Sequence, residues 1–150
     1  MLIGDVQLRL VSDGVSYVDG GCLFGLVPKV LWERVCAPDG LNRVPLERRC
    51  VLAETGTLRI LVDTGCGVEK SPEGHKNRRQ GDAGTLNAGL GCLGVKPADV
   101  DLVVNTHLHR GHAGGNTVFG EGSSHIPAFA NATYCIQRLE LADASLPNER

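Results

Sequence analysis

Val100-Asp101-Leu102-Val103-Val104-Asn105 runs directly into Thr106-His107-Leu108-His109-Arg110-Gly111-His112-Ala113-Gly114-Gly115. The first six residues are mostly apolar and β-rich, and Pro97-Ala98-Asp99 closes off the preceding segment, so they predict a central strand. Alternating strand-and-helix folds place their ligand-binding loops just beyond the carboxyl ends of such strands. Three of the five histidines fall in that position, at 107, 109 and 112. In an extended segment the side-chain period of two sends His107 and His109 to the same side. Gly111 permits a sharp turn before His112, so all three imidazoles can converge on one cavity. Neutral imidazole is the commonest protein ligand for zinc-like metals. The plain alternative is a surface loop rich in histidine, and the isolated His75 and His125 are read as solvated loop residues.

The upstream sequence supplies further strands. Val6-Gln7-Leu8-Arg9-Leu10 alternates apolar and polar side chains, as a half-buried strand does. Asp13-Gly14 predicts a turn, with residues 15–18 as a second short strand and Asp19-Gly20-Gly21 as a break. Pro28 opens a short helix over residues 29–35, at a position where its missing N–H costs nothing. Residues 37–43 form a loop around Pro38-Asp39-Gly40. Residues 49–54 and 57–62 are two β-rich runs joined across Thr55-Gly56, a hairpin signal. The second run ends at Asp63-Thr64-Gly65, which places a carboxylate just beyond an apolar strand.

Residues 67–84 are polar and glycine-rich, and the basic cluster at 76–79 reads as a solvated loop. Leu86, Leu90 and Leu93 mark one face of a helix over residues 85–93, which Gly89 and Gly91 weaken by roughly 1 kcal/mol each relative to Ala. Residues 132–136 predict another strand and 137–144 a last helix. The alternation points to an α/β layered fold.

Composition bounds the function. The chain has 150 residues, with 15 Lys+Arg against 17 Asp+Glu and a net charge of −2. That length suits one domain, and the near-neutral charge excludes a strongly basic nucleic-acid footprint. No apolar stretch is long enough for a membrane helix. The first residues lack a basic segment followed by an apolar one, so a cytoplasmic location is expected. The six cysteines contain no CxxC pair, and in that compartment they are read as reduced, buried thiols. High glycine and low aromatic content predict many tight turns and few large core anchors.

The stretch from Thr106 to Gly115 resembles the His-x-His-x-Asp-His signature of the metallo-β-lactamase-fold hydrolases. Asp63-Thr64-Gly65 is similar to that family's upstream Asp-x-Gly motif. The run from Asp19 through Phe24, Pro28, Trp32 and Arg43 to Asp63 looks closest to the lactonase-like branch, as does Phe129-Ala130-Asn131-Ala132-Thr133-Tyr134. The resemblance implies a four-layer αβ/βα sandwich that binds one or two divalent ions, typically zinc. Residues 1–150 would form its N-terminal half, a partial domain. It implies His107 and His109 as ligands of one metal, His112 as a ligand of the second, and Asp63 as a support for the metal loop. The implied chemistry is hydrolysis of a small lactone or ester through a metal-bound hydroxide.

Two departures qualify that expectation. Gly111 stands where the motif has its Asp and offers no ligand oxygen, so no catalytic residue is assigned and at best one weakly held metal is expected. Beyond His112 only His125 remains, too close to match the family's later ligands, whereas catalytic zinc usually has three protein ligands. An impaired hydrolase is therefore expected, with one sheet face exposed. A second copy or a complementing chain would complete it. The alternatives are a non-catalytic relative and an interaction module that docks a partner through that face.

Overall fold

The computed structural model describes residues 1–67, 86–121 and 124–146. The polar segment, its basic cluster at 76–79 and His75 lie outside the described residues. A six-stranded sheet forms the frame, in the order β1 (Leu2–Ile3), β2 (Val6–Asp19), β3 (Arg43–Glu54), β4 (Arg59–Val62), β5 (Leu102–Asn105) and β8 (Thr133–Ile136). Pairing is antiparallel from β1 to β4 and parallel from β4 through β5 to β8. The predicted central strand is thus β5, flanked on both sides. A separate two-stranded sheet joins β6 (Thr117–Phe119) to β7 (His125–Pro127).

Two sequence expectations need correction. Asp13-Gly14 is not a turn between two strands. It lies at a β-bulge between Ser12 and Val15 within the single long strand β2. The extra residues re-aim Asp13 into the interior, where it is fully buried. His125 is exposed but belongs to β7, with its ring 4.8 Å from that of Phe119. The other predicted elements differ only in extent, whereas the helix over Gly20–Phe24 and the β6–β7 pair are additional. α1 (Gly20–Phe24) begins at the expected break, capped by the Asp19 carboxylate. Pro28 is the cap of α2 (Lys29–Trp32) and not its first residue.

The core lies on one face of the sheet. Val11, Cys50, Leu52, Leu61 and Val103 meet Leu86 and Leu90 of α3 (Leu86–Cys92), with Val95, Val100 and Phe129 closing the cluster. Gly89 explains its own presence in α3: a Cβ there would lie 2.8 Å from both the Ser12 carbonyl oxygen and Val11 Cγ1. Its helix-propensity cost is offset by the close approach of helix and strand.

Alternate residues of the same strands face the other side. Leu10, Val51, Val62 and Val104 form a cross-strand row there, and Leu10 is 65% exposed. The neighbouring row of Leu8, Ala53, Ile60 and Leu102 is also apolar. An apolar second face of this kind suits a further layer of structure. Among the described residues no helix is long and apolar enough to cross a membrane. Six free cysteines are present; Cys50 and Cys66 are buried as expected, whereas Cys22, Cys92 and Cys135 are exposed.

Candidate active site

The site grows from the carboxyl ends of two parallel strands. Val62 of β4 and Val104 of β5 are in register, so Asp63 and Thr106 emerge side by side, and the Asp63 amide donates to the Val104 carbonyl at 2.9 Å. Asp63 has a left-handed backbone (φ 61), a conformation Asp tolerates through local hydrogen bonds. Its carboxylate, in a residue 7% exposed, accepts the Thr106 amide at 2.8 Å, the Thr106 hydroxyl at 3.0 and 2.9 Å, and Nδ1 of His112 at 2.8 Å.

For the neutral imidazoles, these bonds assign the tautomers of His112 and His107. His112 donates from Nδ1 to the Asp63 carboxylate, which leaves the Nε2 lone pair available. Thr106 has one hydroxyl proton, and it donates that proton in its hydrogen bond to the Asp63 carboxylate. Its oxygen therefore accepts from His107 Nδ1 at 3.0 Å, and His107 also presents Nε2. One buried carboxylate thus orients two histidines.

The three predicted histidines do come together. The His107 ring centroid lies 4.8 Å from that of His109 and 4.1 Å from that of His112. The loop then enters α4 (Arg110–Ala113), where Gly111 sits in ordinary helix. The sharp turn expected there is not what residue 111 supplies. A Cβ at Gly111 would meet nothing within 4 Å, so the position has room for a larger side chain.

Sequence reasoning missed the groups that hold this loop. The Thr64 amide donates to the His112 carbonyl at 2.7 Å, and its hydroxyl donates to Asn116 Oδ1 at 2.9 Å. Asn116 in turn pairs with the buried Asn105. On the other side, Asp13 accepts the Cys66 amide at 2.8 Å, the Leu86 amide at 3.0 Å and Arg48 Nε at 3.1 Å. Gly65 makes this possible, with φ 69 and no Cβ to strike Asp13 Oδ2, which would lie 2.1 Å away. The Asp13-Gly14 pair read as turn chemistry was the one available signal, and it concealed a buried anchor.

A cavity of about 690 Å³ opens beside His112, lined also by Ser16, Leu46, Arg48, Cys66 and Arg110. That size suits a small-molecule ligand. His107 and His112 present ligand atoms of the right chemistry for a divalent metal. Among the described residues, however, no three His, Cys, Asp or Glu side chains form a group able to hold one. The residues fit part of a metal centre.

Residues 43–127, more than half the chain, match the family model of the metallo-beta-lactamase superfamily. The chain belongs to the metallo-beta-lactamase superfamily. It is 32% identical over 127 residues to an N-acyl homoserine lactonase of Bacillus cereus, covering 75% of this chain and 44% of that protein. It is 34% identical over 98 residues to the N-acyl homoserine lactonase AttM of Azorhizobium caulinodans, covering 59% of this chain and 33% of the relative. Among solved structures, a probable metal-dependent hydrolase from Staphylococcus aureus superposes with a TM-score of 0.84 at 30% identity, covering 100% of this chain and 53% of that one. An N-acyl homoserine lactone hydrolase with N-hexanoyl-L-homoserine bound at its catalytic metal centre gives 0.62 at 27% identity, covering 95% and 52%.

The likeness read from the histidine motif therefore holds, as does the α/β fold class. The sheet and its helices correspond to about half of the metallo-beta-lactamase fold. The chain spans less than half the length of the lactonases it matches.

Proposed function

We propose that this chain carries the histidine-bearing half of a metal-dependent hydrolase site acting on a small lactone or related ester. The observation that carries this reading is the Asp63–Thr106–His107 and Asp63–His112 network, which presents two Nε2 lone pairs, with His112 in the wall of a ligand-sized cavity. The lactonase relatives support the substrate class. A bound divalent ion, with zinc the family default, supplies Lewis acidity toward an ester carbonyl. His107 and His109 are the proposed ligands of one ion and His112 of the other. Asp63 supports His107, through Thr106, and His112 by fixing ring orientation and tautomer. The cavity wall, with Leu46 against an apolar part of the substrate, orients it and excludes water. No residue of the described chain is assigned as proton donor or acceptor.

Completion of the ligand set falls to a second copy or to a complementing chain docked on the apolar sheet face. The free thiols fit a reducing, cytoplasmic setting. A second reading, a non-catalytic relative, is favoured by Gly111 and by the incomplete ligand group.

Purified protein supplied with zinc and N-hexanoyl homoserine lactone, followed by proton release on ring opening, separates the two. Turnover that disappears in His107→Ala and His109→Ala supports the hydrolase. No turnover in any preparation, with native mass showing a monomer, supports the non-catalytic reading.

A further inference from the structure

The last helix is docked in an unusual way. β5 and β8 are parallel neighbours with Asn105 opposite Ile136, so Thr106 and Gln137 leave the sheet at the same edge. α5 (Arg138–Ser145) starts there, with the Gln137 side chain accepting the Leu139 and Glu140 amides. A surface helix normally docks through an apolar stripe. In α5 every residue except Glu140 is exposed, including Leu139 at 62% and Leu141 at 51%. The side chain turned toward the protein is a carboxylate, and its Oε2 accepts the Leu108 amide at 3.0 Å.

Leu108 is the residue between His107 and His109, and its amide lies past the end of β5, beyond the sheet's ladder. A charged acceptor on a backbone N–H is among the stronger hydrogen bonds. Holding that amide fixes the peptide plane from which the two imidazoles diverge. Apolar packing does not account for this contact, because α5 buries no residue.

We infer that Glu140 is a positioning residue: its carboxylate holds the backbone between His107 and His109 and so sets the relative direction of their rings. The inference deepens the proposed function and rests on it for the metal-binding consequence alone.

Amide exchange by NMR in wild type, Glu140→Ala and Glu140→Gln, paired with zinc titration by calorimetry, tests it. In Glu140→Ala the Leu108 amide exchanges about tenfold faster or more, as loss of one charge-assisted hydrogen bond predicts. Glu140→Gln, which keeps an oxygen acceptor, restores most of the protection, and the slow amides of β5 do not change. Zinc affinity falls about tenfold in Glu140→Ala, the scale typical of groups that support metal ligands.

Unchanged Leu108 exchange in Glu140→Ala overturns the inference. Equal acceleration across β5 and β8 also overturns it, since the helix would then only prop the sheet. So does faster Leu108 exchange with unaltered zinc affinity. If no variant, wild type included, takes up zinc, the proposed function fails, and Leu108 exchange still decides whether Glu140 holds the loop.

Discussion

Asp63 Oδ2 lies 2.8 Å from His112 Nδ1, although 49 residues separate the two in the chain. The contact follows from topology. Parallel pairing of β4 and β5 brings the two strand ends together, and a single carboxylate then serves the Thr106 amide, the Thr106 hydroxyl and His112.

Asp63→Ala should therefore cost about 2–3 kcal/mol, because it orphans a partly buried amide and places Ala in the left-handed region. Asp63→Asn keeps an acceptor and tolerates that backbone, so about 1 kcal/mol is expected. Urea unfolding measures both. An Ala variant as stable as the wild type would contradict the hub role.

The buried pair behind the loop makes a second prediction. Asp13 is fully buried and Arg48 9% exposed. Arg48→Met leaves the Asp13 charge without its guanidinium, and breaking such a pair costs about 3–5 kcal/mol, a large share of the roughly 5–15 kcal/mol that holds a domain together. Adding Asp13→Asn to Arg48→Met should recover part of that loss. A double-mutant cycle in urea measures the coupling, and simple additivity would show that the pair does not act as a unit.

A third prediction concerns thiols. Burial, then the Asp13 and Asp63 charges, push the Cys50 thiol up from 9.0 to about 12. The folded value lies above the unfolded one, so this contribution to stability is intact below pH 9 and is lost as pH rises from 9 toward 12. At pH 8 a thiol reagent should label the exposed Cys22, Cys92 and Cys135 quickly and Cys50 only on unfolding. Mass spectrometry of labelled peptides reads this, and equal labelling of Cys50 would refute it.

Local signals carried the sequence reading as far as local physics reaches. The apolar run ending at Asn105, the histidines after it and the carboxylate at Asp63 were all legible, because strand burial and loop chemistry are written in adjacent residues. Asp13 was not. Its Asp-Gly dipeptide favours a turn in isolation, and only partners distant in the chain, Arg48, Cys66 and Leu86, turn it into a buried anchor. Glu140 was equally silent, since its role depends on β8 pairing in parallel with β5. The β6–β7 pair escaped notice because three-residue strands show too little alternation to register. Gly111 was legible as a missing carboxylate, whereas its helical backbone and open surroundings were not.

The proposed metal site on the histidine loop lacks, besides the later ligands, the carboxylate that Gly111 replaces. Position 111 has room for a side chain, so Gly111→Asp should fold with stability within about 0.5 kcal/mol of wild type. Zinc retained after dialysis, measured by elemental analysis, is the decisive quantity. The account predicts little zinc on the wild type, a clear gain in Gly111→Asp, and loss of that gain when His107→Ala is added. Equal zinc content in all three proteins would contradict it.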